Sequence, residues 1–388
     1  MTIVHIIEPF ASGVTTAVIS IVQQLRKEKH IVVHGSRTWV DTRENVKKKF
    51  PPGVDFIPWK YAGREINPVK DLLALLSLIS ILRRLKSSFC SAGPEWVVHL
   101  HSSKAGFLGR LACRLLGIRR VIYTPHGASF IRRDISRTKQ EVFRLLEKLG
   151  GRFSGLVVGC GESEAALYRG LGRPALWVAN GVAIDEPLRD EGSSPQKNSP
   201  KAAGAQICFV GIANRQKNPA LFNDIAQSCL EDPDPRLNQA EFLWVGDGAL
   251  KDRLAAGNIR RTGWVDGDRV QACLNESLIY LSTSGWEGLP YGVLEAMKAS
   301  CALLLTDVPG NRDLVRPGIN GFLFTTPGEG LNFLRQLLDN REKTLALGRE
   351  SRRIVEDHFN LKQMGEGYWR IYRALVDDAG KNPGKTLA

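Results

Sequence analysis

Short apolar runs alternate with amphipathic stretches along almost the whole of this 388-residue chain, and that alternation restricts the fold more than any other feature. In the first half, strand-length apolar segments stand at Ile3–Ile7, Ile31–His34, Trp96–His101, Val121–Thr124, Leu156–Gly159 and Leu176–Ala179. Between them lie segments with helical periodicity, among them Thr15–Lys27, Val69–Leu85, Ala105–Leu116 and Ser163–Gly170. Apolar strands separated by helices imply a parallel sheet covered on both faces. The pattern breaks at residues 185–205, which are rich in Pro, Ser, Gly and Lys and hold no apolar run. That stretch reads as an interdomain linker. Strand signals resume at Ile207–Gly211, Phe242–Gly246, Leu278–Ser282 and Ala302–Thr306, and Leu361–Val376 closes the chain with helical spacing. The expected α/β organisation is a Rossmann-like domain over residues 1–185, a linker over 186–205 and a second Rossmann-like domain over 206–360. A terminal helix within 361–388 is expected to pack back on the first domain. Two such sheets facing across a cleft hold ligands at the carboxyl ends of their strands.

The composition permits a full core: 43% of residues are hydrophobic and 24% charged. The seven cysteines form no CxxC pair and are odd in number, which points to a reducing compartment rather than a disulfide framework. The N-terminus lacks the basic region and cleavage site of a signal peptide. The most apolar segment, Leu72 to Leu82, falls short of the roughly 20 residues that a membrane span needs. A cytoplasmic protein is expected, peripheral at most to the inner membrane face. The net charge of +13 is one-sided. Residues 1–185 carry 28 Lys and Arg against 14 Asp and Glu, whereas the remainder carries 25 against 26. An excess confined to one half suggests an anionic partner there: nucleic acid, a membrane surface or a phosphorylated substrate. The competing reading is a solvated basic surface that maintains solubility.

Residues 285–297, GWEGLPYGVLEAM, hold the most chemistry. A strand at Leu278–Ser282 runs into a loop with Glu287, and Pro290 suits the first turn of a helix that continues to Lys298. A helix N-terminus attracts phosphate, and Gly288 lets backbone approach a ligand. Gly288 and Leu289 are therefore placed to offer amides to a diphosphate, with Glu287 and Glu295 reaching sugar hydroxyls on either side. The plain alternative is a tight strand-to-helix turn.

This stretch resembles the acidic-x7-acidic motif of the retaining glycosyltransferases of family 4, the group 1 glycosyltransferases, which have the GT-B fold. Other segments resemble the same family in the same order. They are HIIEPFASGVTTAV, WVVHLHSSKAGFLGRLACRLLG, VIYTPHG, VANGV, FVGIANRQKNP, FLWVGDG, TGWVDG and DVPGNRDLVRPGINGFLF. The resemblance covers nearly the whole chain apart from the linker and the last dozen residues. It implies that Lys217 neutralises the donor diphosphate and that His126 contacts the donor sugar. Glu295 matches the ribose-binding acid, Val265 the backbone that meets the base, and Gly310 and Asn311 line the sugar. Gly13 falls in the glycine loop, with His101 and Lys104 as acceptor candidates. Where the family has an arginine after the glycine of the donor strand, this chain has Ile212. Arg215 is the substitute three residues on. No cofactor and no metal are expected, because the chain is read as holding neither a clustered His/Asp/Glu ligand set nor an Asp-x-Asp triplet.

The resulting expectation is a retaining, metal-independent transfer of a hexose or N-acetylhexosamine from a UDP-sugar. The acceptor is a glycan or lipid-linked hydroxyl, in bacterial surface polysaccharide assembly such as O-antigen or capsule. Glu287 and His126 act at the reacting sugar. Arg132 and Arg133 favour an anionic acceptor, with an anionic membrane surface as partner. The alternatives are a nucleotide-sugar epimerase or hydrolase on the same fold, and a non-enzymatic nucleic-acid-binding module. The latter lacks any helix-turn-helix or RNP pattern, and nucleic acid is not an expected partner.

Overall fold

The computed structural model describes residues 1–8, 10–35, 42–63, 67–92, 95–184 and 206–377. The expected linker lies outside them. The chain divides into two compact units. The first holds residues up to Gly181, apart from Arg132–Asp134, together with the segment from Leu361 onward. The second holds Arg132–Asp134 and Val182–Asn360.

The first unit is built on β1 (Thr2–Ile7), β2 (Lys29–His34), β3 (Asp55–Pro58), β4 (Trp96–His101), β5 (Val121–Thr124), β6 (Leu156–Gly159) and β7 (Ala175–Trp177). They form one parallel sheet in the order β3-β2-β1-β4-β5-β6-β7. Every residue of β1 is buried, as a central strand covered on both faces requires. Its helices are α1 (Ser12–Gln24), α2 (Arg43–Lys48), α3 (Pro68–Ala92), α4 (Ser103–Leu115), α5 (Arg137–Gly150) and α6 (Glu162–Arg169). One face of the sheet packs Val4, Ile6, Val98 and Leu100 against Ala74 and Leu78 of α3 and Leu108 and Ala112 of α4. Helix α4 comes close because Gly106 has no side chain: a Cβ there would lie 2.2 Å from the Tyr123 ring. The Tyr123 hydroxyl donates to Glu147 at 2.8 Å, and Arg110 closes the group with an ion pair to Glu147 at 2.8 Å.

The second unit repeats the plan with β8 (Gln206–Val210), β9 (Glu241–Val245), β10 (Ile259–Arg261), β11 (Ile279–Ser282), β12 (Ala302–Thr306) and β13 (Gly321–Phe324). The parallel order is β10-β9-β8-β11-β12-β13. Its helices are α7 (Pro219–Leu230), α8 (Pro235–Asn238), α9 (Gly267–Glu276), α10 (Tyr291–Lys298), α11 (Pro327–Asp339) and α12 (Arg341–His358). Phe209, Phe222, Phe242 and Trp244 form the aromatic centre of its core. The last helix, α13 (Leu361–Asp377), belongs to the first unit, where it lies against α1 and β4. Both sheets have the doubly wound order, in which the strand sequence reverses once, at β1/β4 and at β8/β11. Ligands of such sheets bind outside the carboxyl ends of the strands at that reversal.

The buried Arg110–Glu147 pair tests the packing of α4 on the sheet. Glu147→Ala leaves a buried guanidinium unpaired and should destabilise the first unit by about 3–5 kcal/mol. The double variant Arg110→Met with Glu147→Leu should recover most of that loss. Denaturant unfolding of both proteins measures the difference.

Candidate active site

In the second unit the strand order reverses between β8 and β11, and the two loops leaving these strands are tied together there. The Gly285 amide donates to the Gln216 carbonyl at 2.8 Å. The Thr283 hydroxyl donates to the Lys217 carbonyl at 2.9 Å. Inside this frame Lys217 Nζ lies 2.5 Å from Glu287 Oε1, and Gln216 Nε2 lies 3.3 Å from the other carboxylate oxygen. Glu287 is only 5% exposed, so its charge depends on these partners. The stem of Lys217 passes over Gly211, and its amide donates to Asn214 Oδ1 at 3.0 Å.

A third loop closes the site from β12. The Thr306 hydroxyl donates to the Ser284 carbonyl at 2.6 Å. Gly310 has φ +83°, and a Cβ there would fall 2.0 Å from the Gly288 carbonyl oxygen. Only glycine lets the two loops meet this closely. Asn311 is fully buried and donates to the Thr306 carbonyl at 2.9 Å, so its amide braces the loop. Gly288 and Leu289 are buried just ahead of α10, with Pro290 at the cap (φ −75°, ψ 124°) rather than inside the first turn. Glu295 lies in the second turn of α10, half-buried, and burial raises its pKa. Arg215 is exposed, with no hydrogen-bond partner among the described residues, and its charge adds to the hydrogen bond and charge of Arg132 that lower the pKa of Asp134. Ile212 is half-buried where the family has arginine. Val265 lies between Gly263 and the α9 cap Asp266, beside the exposed Trp264.

The first unit carries the remaining candidates at the carboxyl ends of β1, β4 and β5. Gly13 is exposed in the first turn of α1. Lys104, in the first turn of α4, pairs with Asp71 at 2.7 Å. His126 follows β5 in a left-handed conformation, φ +56°. Its turn is held by Glu164, which accepts from the amides of Gly127 at 2.6 Å and Cys160 at 2.8 Å. His101 is fully buried, and its Nδ1 lies 3.0 Å from His126 Nε2. Two bracing residues, Gln216 and Glu164, carry no sequence signal, because each acts on a neighbour that is distant along the chain or on a backbone amide.

The sequence reading of no clustered ligand set needs correction. Strand register brings His5, His99 and His101 together, with one ligand atom from each within 4.8 Å of the others. They lie on β1 and on the adjacent β4, where His5 pairs directly with His99. Two Asp-x-Asp triplets also occur, but three of their aspartates have local tasks. Asp232 pairs with Arg335, Asp234 with Arg236, and Asp266 caps α9.

Comparison with known proteins fits both halves. Residues 12–181 match the model "Glycosyl transferase 4-like domain", and residues 204–340 match "Glycosyl transferases group 1". The chain is a group 1 glycosyltransferase. It is 26% identical to an Escherichia coli protein, UDP-Gal:alpha-D-GlcNAc-diphosphoundecaprenol alpha-1,3-galactosyltransferase, over 81% of this chain and 82% of that one. It is 24% identical to an uncharacterized 41.2 kDa protein in the cps region of Klebsiella pneumoniae, over 96% of this chain and all of that one. Among solved structures, Anabaena HepE in complex with UDP and glucose matches with a TM-score of 0.72 at 16% identity, covering 96% of this chain and all of that one. The GT-B expectation, two parallel-sheet Rossmann-like units, agrees with these neighbours.

Two outcomes follow for this glycosyltransferase. Gly310→Ala forces a Cβ against the Gly288 carbonyl and should lower turnover at least roughly tenfold, by displacing Glu287. Initial-rate assays against wild type check it. The second concerns acid. Burial pushes the pKa of His126 down to about 3 and holds His5, His99, His101, His30 and His34 below their ordinary 6.5. Above pH 6.5 neither the folded nor the unfolded chain protonates them. As the pH falls below 6.5 the unfolded chain takes up protons that the folded chain refuses. Each histidine then removes stability at about 1.4 kcal/mol per pH unit until its folded pKa is reached. The raised pKa values of Glu164 and Glu295 act in the opposite sense but are fewer. Thermal melts from about pH 7.5 to 5.5 should fall steadily; a flat profile would contradict neutral burial.

Proposed function

We propose that this glycosyltransferase is retaining and metal-independent, and that it moves a hexose or N-acetylhexosamine from a UDP-sugar to a hydroxyl of a lipid-linked glycan. The reading has it working in bacterial surface polysaccharide assembly. The observation that carries it is the buried Lys217–Glu287 pair at the β8/β11 reversal, where a doubly wound sheet takes its nucleotide. A diphosphate arriving there draws Lys217 Nζ away from the carboxylate. Arg215 adds a second cation and the start of α10 adds backbone donors, so the leaving group gains no charge that goes unmet. Glu295, a half-buried carboxylate without a hydrogen bond among the described residues, suits the vicinal hydroxyls of a ribose. Gly310 and Asn311 shape the sugar end of the loop, and the backbone at Val265 meets the base.

At the reacting carbon the bond to the leaving oxygen breaks through an oxocarbenium-like state. In the proposed front-face course, the leaving phosphate oxygen accepts the acceptor hydroxyl's proton as that hydroxyl bonds to the same face of the sugar. Glu287, released from Lys217, offsets the developing positive charge, and His126 orients the sugar. The first unit takes the acceptor, with Gly13 and Lys104 near its β1/β4 reversal. Its basic excess and the exposed stripe Val69, Leu72, Leu73 and Leu76 of α3 suit an anionic membrane surface. No described helix is long and apolar enough to cross a membrane, so a surface contact is the mode that this reading requires. The names of the E. coli relative, which uses UDP-Gal and a diphosphoundecaprenol-linked sugar, and of UDP-bound HepE support the donor and acceptor classes.

The test is nucleotide release from a panel of UDP-, GDP- and ADP-sugars, with EDTA, with and without a membrane-lipid extract. Release from one UDP-sugar that rises with the extract is expected. Lys217→Ala and Glu287→Gln should each lower kcat by roughly 10²–10³. Release indifferent to the extract would point instead to hydrolysis or epimerisation, and a requirement for divalent cations would overturn metal independence. Vesicles containing anionic lipid should retain the protein, and Leu72→Glu with Leu76→Glu should weaken that retention at least several-fold.

A further inference from the structure

Four imidazoles in the first unit form a single hydrogen-bonded row. His30 Nε2 lies 2.9 Å from the Leu25 carbonyl oxygen. His30 Nδ1 lies 3.2 Å from His5 Nε2, and His5 Nδ1 lies 3.1 Å from His101 Nε2. His101 Nδ1 lies 3.0 Å from His126 Nε2. The row crosses β2, β1 and β4 and ends in the turn after β5. Its neighbours stack at 5.3–5.4 Å between ring centroids.

The direction of every bond follows from the first. A carbonyl oxygen only accepts, so His30 carries its hydrogen on Nε2. A neutral imidazole has one N–H and one lone pair, so His30 Nδ1 must accept. His5 therefore donates from Nε2 and accepts at Nδ1, His101 does the same, and His126 donates from Nε2. His5, His30 and His101 are buried, which favours neutral rings throughout. One bare nitrogen remains: His126 Nδ1, which has no partner among the described residues. We propose that the Leu25 carbonyl, acting through His30, His5 and His101, fixes the tautomer of His126, so that its Nδ1 meets substrate as an obligate hydrogen-bond acceptor. Such a group takes a sugar hydroxyl and repels a phosphate or carbonyl oxygen. The three inner histidines are positioning residues, because none reaches the substrate itself. His101 influences the site only through His126.

A metal held by His5, His99 and His101 is the competing account of the same cluster. Both nitrogens of His99 are already engaged, Nδ1 with the Tyr372 hydroxyl at 2.7 Å and Nε2 with the Thr124 hydroxyl at 2.9 Å. A metal would have to displace one of them and the His5–His101 bond together. The hydrogen-bonded row leaves all of these contacts intact.

The role of His126 at the sugar rests on the function proposed above; the tautomer does not. The experiment is ¹⁵N NMR of the full chain labelled at histidine, with His126→Asn used for assignment and metal content measured on the same sample. All four rings should be neutral Nε2–H tautomers at neutral pH, with nitrogen–nitrogen couplings across the three shared hydrogens. An Nδ1–H tautomer at His126 in the wild-type protein, or stoichiometric metal with ligated His5 and His101, overturns the proposal. Both readings are made on the wild-type protein, and His126→Asn serves only to assign the His126 signals. His30→Gln keeps both polarities, since its amide donates to Leu25 and its oxygen accepts from His5. His30→Leu removes the polarising group. His30→Leu should mix the His126 tautomers and lower kcat roughly fivefold at constant donor KM, while His30→Gln restores both. A fixed tautomer in His30→Leu would mean that something other than the Leu25 carbonyl sets it. If the NMR pattern holds but the donor panel stays silent, the function fails and the row stands.

Discussion

The charge pair between Lys217 and Glu287 is the constraint on which the second unit's site depends. A carboxylate so little exposed is costly without a cation beside it. The cation arrives on a different loop, so the two loops must be held in fixed register. Backbone and hydroxyl bonds from Gly285 and Thr283 do this. The β12 loop then has to approach within van der Waals limits, which dictates glycine at 310. A single electrostatic requirement thus propagates into sequence at positions that bear no charge.

On one face of its sheet the first unit solves a related problem without ions. Its sheet has an apolar face under α3 and α4, and a second face where a ridge of imidazoles meets Tyr368 and Tyr372 of α13. Buried rings that stay neutral need partners for two nitrogens each, and the neighbouring strands supply them in sequence. The basic excess of this half of the chain therefore lies outside the row, on lysines and arginines such as the exposed Arg83, Arg84 and Arg133.

Much of this architecture was legible in the sequence, and the gaps have a physical cause. The central strands are buried on both faces and read as unbroken apolar runs, so β4, β5, β6 and β12 fall where expected. The strands without a signal, β3, β10 and β13, all lie at sheet edges, where half-exposed residues dilute the apolar run. Strand β7, also at an edge, is shifted by one residue at its start. The motif around Glu287 was visible because its residues are contiguous. Its ion pair with Lys217 was not, since the partners are 70 residues apart. The histidine row is the extreme case. Its members are scattered along the chain from His5 to His126, more than a hundred positions, and only strand register aligns them. Periodicity can show that a strand is buried but not which polar side chains will meet across it.

The six cysteines whose surroundings are described are all buried free thiols. Burial raises the pKa of Cys113 and Cys229 to about 12 and also that of Cys208 and Cys273. A thiol held protonated and out of solvent is inert toward alkylating reagents while the chain around it is closed. Cys113 and Cys160 belong to the first unit, and Cys208, Cys229, Cys273 and Cys301 to the second. The molecule therefore carries its own set of opening reporters, divided between the two units. The order in which these sulfurs become reactive is a direct record of which half comes apart first.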